Sequence, residues 1–459
     1  MNRNWKCGGA ALACALLLGA TGVAARAAQD SSQPQTQGAA GAAAAPAYTL
    51  AEYNAYQAAA ADKDATQRVK DLDDFVSKFP NSALMPYVYN SYVHAYNELK
   101  DYPHVIEYAD REVALGPDKV NAASRFQALY LRTLAFNYSF SEKDPTAQDE
   151  ATQELAAAKA GLTVMDQVPK PANQTDDQWA TNKKAPTALF NYTAGIASAA
   201  LKDYASAVTS FQAALAATPN DAVTYFHLGV AYLQMTPPQS LDGFWSLARS
   251  VALKGQGQDQ VKAYLRAQIQ NYQQTGCDNL VDDQITELIT LAGTTADRPA
   301  TYTIPSAADL TTARNDTSNF IPWLKEGGDH GKLMWLATCG LEFPDVAVEV
   351  MSVTPADGDN STLLVYRPAA SDPDAAQKEM DAATDPNMTV NIVGQPEVRR
   401  LQKGDGVRFT GTLSGYTPTP FMLTWSTAKV NSEDIPPEKA APGAKRPSHR
   451  PAAAAPPSR

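Results

Sequence analysis

Residues 188–220 read ALFNYTAGIASAALKDYASAVTSFQAALAATPN, and this segment limits the fold more than any other. Its second half spaces Tyr204, Ala207, Val208, Phe211 and Leu215 by threes and fours, which is one stripe of a helix. Pro219-Asn220 stops that helix, because proline cannot continue one. Lys202-Asp203 marks a tight turn after an earlier helix, so the unit reads as an antiparallel helical hairpin. A second copy follows at once. Tyr225, Leu228, Gly229 and Tyr232 open it, and Leu241, Phe244, Ala248 and Val251 close it after an insertion with Pro237-Pro238. An earlier copy covers 85–117, with Tyr89, Tyr92 and Tyr96, a turn at Asp101-Tyr102, then Ala109 and Pro117. A degenerate first copy covers 50–80 and ends in Phe79-Pro80-Asn81-Ser82. A looser hairpin spans 120–165, and a last helical pair at 261–291 reads as a capping unit. The stretch 167–187, with Pro169 and Pro171, is expected to be a long connection. One such hairpin cannot bury its apolar stripe alone, so tandem copies must stack into a continuous core.

At these spacings the units resemble tetratricopeptide repeats. Gly195, Tyr204, Ala207, Phe211, Ala214 and Pro219 stand where that family's ~34-residue unit carries its small residue, Tyr, Ala, Phe, Ala and Pro. Asn191 departs from the pattern, since the family has an aromatic near that point of its first helix. The resemblance implies an α-helical solenoid over 48–295, in which the first helix of each repeat lines a groove for an extended or helical peptide. Carried over residue by residue, the groove takes Tyr53 and Gln57, then Tyr87, Asn90 and His94, then Tyr192 and Ile196, then Phe226 and Val230. The apolar ones among them suit core packing equally well. None is basic, so a Lys/Arg clamp for acidic C-terminal peptides is disfavoured. Aromatic and amide groups fit apolar or mixed peptide segments.

Beyond a connecting helical segment at 300–344, strand signals take over. Val346, Val348 and Val350 alternate with Ala347, Glu349 and Met351, and 356–360 form a turn before STLLVYR at 361–367, a hairpin. Residues 388–393, 406–413 and 421–430 supply three more strands. Five strands in this order, with Lys403-Gly404-Asp405-Gly406 leading into the fourth, resemble a small oligonucleotide/oligosaccharide-binding (OB) barrel over 345–434. Another small β-sandwich or an open sheet fits the same strands. The expected fold class is therefore α+β multidomain, a helical repeat solenoid followed by a small β-barrel. An OB barrel would invite nucleic-acid binding by Arg399, Arg400, Lys403 and Arg408, with Tyr416 and Trp425 as stacking faces. A net charge of -11 opposes that, because phosphate binding draws on clustered cations.

The ends are distinct. Arg3 and Lys6 precede an apolar stretch, and Ala25-Arg26-Ala27 offers a cleavage site, so 1–27 reads as a secretory signal peptide. Its strongly apolar part, 10–20, is shorter than the ~20 residues of a spanning helix, and no integral membrane segment is expected after cleavage. Cys14 follows Ala11-Leu12-Ala13, a poor match to a lipidation signal. Residues 28–47 form an Ala/Gln-rich flexible leader. Residues 435–459 form a Pro/Ala-rich tail with Lys439, Lys445, Arg446, Arg450 and Arg459 against Glu438, able to touch anionic envelope polymer. Removal of Cys7 and Cys14 leaves Cys277 and Cys339, either bridged in an oxidising compartment or buried separately as thiols.

Catalytic signatures are missing. There is no H-E-x-x-H and no G-x-S-x-G, and His94, His104, His227, His330 and His449 make no ligand pairs at helix spacing. Residues 327–332 look like a phosphate loop, but Glu326 and Leu333 replace its required Gly and Ser/Thr, so a turn is expected. No cofactor or metal is implied. The expected function is non-catalytic: an exported, periplasmic or secreted scaffold binding protein or peptide partners through the helical groove. The alternative is an envelope ligand- or polymer-binding protein acting through its β module.

Overall fold

The structure, a computed structural model, describes residues 47–370 and 372–438. The expected signal peptide, the leader up to residue 46 and the tail from residue 439 on lie outside the described residues. The chain divides into two compact units, one holding the residues up to 267 with 285–303, the other 268–284 with those from 304 on.

The first unit is helical. Consecutive helices pack as pairs: α1 (Leu50–Ala61) with α2 (Ala65–Lys78), α3 (Met85–Leu99) with α4 (Tyr102–Ala114), and α5 (Ala122–Ser139) with α6 (Ala147–Met165). In the same way α7 (Asp176–Ala200) packs on α8 (Tyr204–Ala217), and α9 (Ala222–Gln234) on α10 (Ser240–Ala252). Next come α11 (Gln258–Gln273) and α12 (Asp278–Thr294), and the division between the units runs through both.

Two turns show how local sequence makes these pairs. Leu-Lys-Asp-Tyr occurs at 99–102 and again at 201–204. In each, the lysine takes a left-handed conformation (φ 58° at Lys100, 63° at Lys202) and reverses the chain. The aspartate then caps the next helix: Asp101 accepts from the His104 N–H and Asp203 from the Ser206 N–H, satisfying donors the helix leaves free. Close approach of the α7–α8 pair needs Gly195, where a Cβ would lie 2.5 Å from the Phe211 ring. Ala207, Val208, Phe211 and Leu215 are buried, as their stripe predicts.

The expected connection at 167–187 is corrected. Only 166–175 connects, and α7 begins at Asp176 and runs through Pro186. Thr175 and Gln178 form a capping box, each side chain bonding the other's backbone N–H, which starts the helix about three turns before the apolar pattern does. Pro186 is buried inside the helix, where packing against neighbours outweighs the one lost hydrogen bond.

The second unit combines α13 (Ala307–Asn315), α14 (Phe320–Glu326) and α15 (Gly328–Thr338) with a closed five-stranded barrel. Its strands are β1 (Glu342–Pro355), β2 (Ser361–Tyr366), β3 (Met388–Ile392), β4 (Gly406–Pro418) and β5 (Phe421–Val430), with α16 (Pro373–Ala382) between β2 and β3. The order around the barrel is β1-β2-β3-β5-β4, with β3 and β5 parallel and every other pair antiparallel. Closure leaves no free edge, and a bulge at Val350/Ser352 bends β1 from β4 towards β2. Alternate residues fill the interior: Val346, Val348 and Val350, Leu363 and Val365, Phe409 and Trp425. Ile321, Leu324 and Met334 close the same core from the helices.

Two expectations change here. Residues 327–332 are not a free turn: Gly327 (φ 73°) ends α14 and the rest forms the start of α15. Trp425 is no stacking face. It is 1% exposed and packs edge-on against Phe343 and Phe409, because its strand parity points inward. Cys277, between α11 and α12, is joined by a disulfide to Cys339 at the end of α15, with 5.8 Å between their Cα atoms. Both cysteines belong to the second unit.

Candidate functional site

The first helices of the pairs lie side by side: α1 neighbours α3, α3 neighbours α5, α5 neighbours α7, and α7 neighbours α9. They form one wall of the helical unit, and the residues singled out in the sequence fall on it in two groups.

The first group centres on α3. Tyr87, 44% exposed, lies one turn from Asn90, and His94 follows on the same flank. The Tyr56 hydroxyl of α1 reaches across to the Tyr87 carbonyl at 3.4 Å and lies 3.3 Å from the Ser91 hydroxyl. On the other side the Gln127 amide of α5 lies 2.7 Å from His94 Nε2. With the Gln127 nitrogen as donor, this imidazole nitrogen is the acceptor. Burial lowers the His94 pKa, with Arg68 adding to the effect and Glu98 opposing it.

Under this surface lies Glu112 of α4, with no exposed area. Its one hydrogen bond is a long one, from Asn90 Nδ2 to Oε2 at 3.5 Å, and Oε1 has no partner among the described residues. Burial pushes the carboxyl up to about 8, the Asn90 bond offsetting a little of this, so the acid is protonated at neutral pH. The wall above it presents hydroxyls, amides and an imidazole, with the Arg68–Glu98 ion pair (2.7 Å) beside His94.

The second group joins α7 to α9. Tyr192 packs edge-on against His227 with ring centres 5.6 Å apart, and Phe226 lies 5.1 Å from the same ring. Phe226 also meets Tyr264 of α11. Ile196 packs with Tyr192 on the cluster formed by Phe211, Leu215, Tyr225 and Leu228, and Val230 is half-buried. Tyr192 and Ile196 are thus largely packing residues with one exposed edge. Of the two on α1, Gln57 is exposed, while Tyr53 stacks on Tyr48 (5.9 Å) and packs into the first hairpin's core.

Sequence reasoning missed Tyr56, Ser91, Glu112 and Gln127. Glu112 left a readable trace. It sits on the buried stripe Val105–Ala109–Glu112, where an acid in an apolar row signals a special role.

On the barrel, the three arginines of the expected basic edge are already engaged, and Lys403 is exposed. Arg399 donates to the Gly358 and Asn360 carbonyls, Arg400 to the Pro436 carbonyl, and Arg408 forms a two-point ion pair with Asp434. The Tyr416 hydroxyl donates to the Leu324 carbonyl and its ring lies against Trp335. Among the described residues no group of three or more His, Cys, Asp and Glu side chains is arranged to hold a metal, and no helix is long and apolar enough to cross a membrane.

No protein-family model matches this chain, and no curated protein sequence matches it at a significant level.

Proposed function

We propose that this protein is an exported scaffold of the tetratricopeptide class that binds extended, uncharged or mixed peptide segments of partner proteins in the cell envelope. The observation that carries the reading is the Tyr87–Asn90–His94 flank of α3, continued by Tyr56 on one neighbouring helix and Gln127 on the other. Such a row offers donors and acceptors to a peptide backbone beside aromatic faces for its side chains, without cations that would demand an acidic ligand. The recurring Lys-Asp turns and the Gly195–Phe211 contact support the repeat assignment. The strand order β1-β2-β3-β5-β4 with its parallel β3–β5 pair supports an OB-like barrel as the second part. The amino-terminal charge, apolar run and Ala25-Arg26-Ala27 support export.

The test is site-specific photo-crosslinking in intact cells. A photoreactive residue at Tyr87 should capture a discrete set of proteins that one at Lys78, an exposed position of α2, does not. The Tyr87→Ala/His94→Ala variant, with unchanged helical circular dichroism, should lose those partners by at least ten-fold. Equal capture from both positions, or full recovery by the double variant, refutes the groove.

A further inference from the structure

The second unit carries a cleft of about 740 Å³ between α14, α16, the end of β2 and the facing stretches of β1 and β4. That volume is within the ~300–1,000 Å³ typical of small-molecule sites. One wall is apolar, with Phe320, Ile321 and Met380; the other brings Glu349, Arg367 and Arg408 to the same space.

The two arginines differ. Arg408 is satisfied: Nε and Nη2 hold the two oxygens of Asp434 at 3.0 and 2.9 Å, the fork geometry guanidinium and carboxylate prefer. Arg367 is fixed only through its backbone. Its N–H donates to Asn387 Oδ1 at 2.9 Å, and its carbonyl accepts from Asn387 Nδ2 at 2.6 Å. Its half-buried guanidinium has no hydrogen-bond or ion-pair partner among the described residues. A planar group with five donors lines the cleft with no protein group to bond, and its nitrogens stay open to solvent and so to a ligand. Burial also lowers its pKa, the direction expected of a half-buried cation without a counter-charge.

We propose that this cleft binds a small organic oxyanion, with Arg367 as the two-point anchor for its head group and Phe320, Ile321 and Met380 as the seat of its apolar body. Glu349 on the same wall repels a second negative charge, so a carboxylate fits better than a dianionic phosphate. The site lies wholly within the second unit. It stands or falls separately from the peptide-binding wall of the first.

The test is NMR titration of the full-length secreted chain with hexanoate, hexyl phosphate and uncharged hexanol. Hexanoate should bind at least ten-fold more tightly than hexanol and shift the Arg367 Nε–Hε signal, identified by its loss in Arg367→Lys. Arg367→Gln retains both backbone bonds to Asn387, and it should bind hexanoate no better than hexanol. A stronger response to hexyl phosphate than to hexanoate would keep the anchor and make the phosphate monoester the ligand class. Equal affinity for hexanoate and hexanol in the wild type, or an unmoved Arg367 signal, would overturn the proposal without recourse to any variant.

Discussion

Arg132 and Glu154 are buried together between α5 and α6, 3% and 0% exposed at their side chains, with Nη1 of the guanidinium donating to Glu154 Oε2. Arg132 Nε also holds Asp110 Oδ1 at 2.6 Å, and the Thr133 hydroxyl donates to Glu154 Oε1 at 2.9 Å. Burial pushes the Glu154 carboxyl up, and the guanidinium and hydroxyl pull it back. Such a group is tolerated only while its partners stay in place.

Removing the cation alone should therefore be severe. Arg132→Met leaves Glu154 in an apolar interior, and a loss of roughly 3–5 kcal/mol is expected. Arg132→Met/Glu154→Leu should recover most of it, because the stranded charge goes too. Urea unfolding followed by far-ultraviolet circular dichroism reads both. Equal destabilisation of the two variants would mean that shape, not charge, is what Arg132 supplies.

Glu112 makes stability depend on pH. Its folded-state pKa of about 8 lies above the ordinary 4.5, so between those values the native state keeps a proton that the unfolded chain has released. Its favourable contribution is complete below pH ~4.5 and is lost as pH rises through about 8. Glu112→Gln keeps the shape and the Asn90 contact but cannot ionise. It should match the wild type near pH 5 and exceed it near pH 9 by an amount on the order of a few kcal/mol. A difference independent of pH would place the titration elsewhere.

At Gly195 two effects oppose each other. Alanine favours a helix over glycine by about 1 kcal/mol, yet its Cβ would sit 2.5 Å from the fully packed Phe211 ring. The clash should win, with Gly195→Ala costing roughly 1–3 kcal/mol. Phe211→Leu in the same chain should make the alanine less harmful. Additive losses in this double-mutant cycle would show that the two residues do not act through their contact.

The Cys277–Cys339 disulfide closes a loop of 62 positions. In the chain-entropy description a loop of that length stabilises by about 4 kcal/mol. Cys277→Ala/Cys339→Ala should lower the unfolding midpoint of the barrel unit, followed by hydrogen exchange of the barrel amides, while that of the helical unit changes much less. A variant with an unchanged midpoint would remove the bridge from the list of what holds this unit.

The elements that sequence reading placed well are those whose pattern is local. The hairpin at 204–217 shows its stripe, stop and turn within a few residues of one another, and all five strands alternate in plain sight. Where a non-local contact decides, reading went astray. Pro186 looked like part of a linker because proline disfavours helix by itself; its place inside α7 rests on packing, although the Thr175–Gln178 capping box was a readable local start. Trp425 looked available because aromatic type says nothing about which face of a strand lies inside. On the candidate wall, Tyr87, Asn90 and His94 were named through the resemblance to tetratricopeptide repeats, which places them on a first helix of a pair. Tyr56 and Gln127 come from neighbouring helices and were not.

The amino-acid sequence by itself determined that this chain makes repeated helical hairpins and then a small β unit. Helix and strand periods, caps and turn residues act over a few positions and need no distant partner. The tertiary structure alone decided which polar groups are stranded and which are matched: Glu112 without a charge to face, Glu154 with one, Arg408 in a carboxylate's fork and Arg367 beside an open cleft. Burial and pairing are properties of residues far apart in the chain, and they come into being only when the elements close on each other.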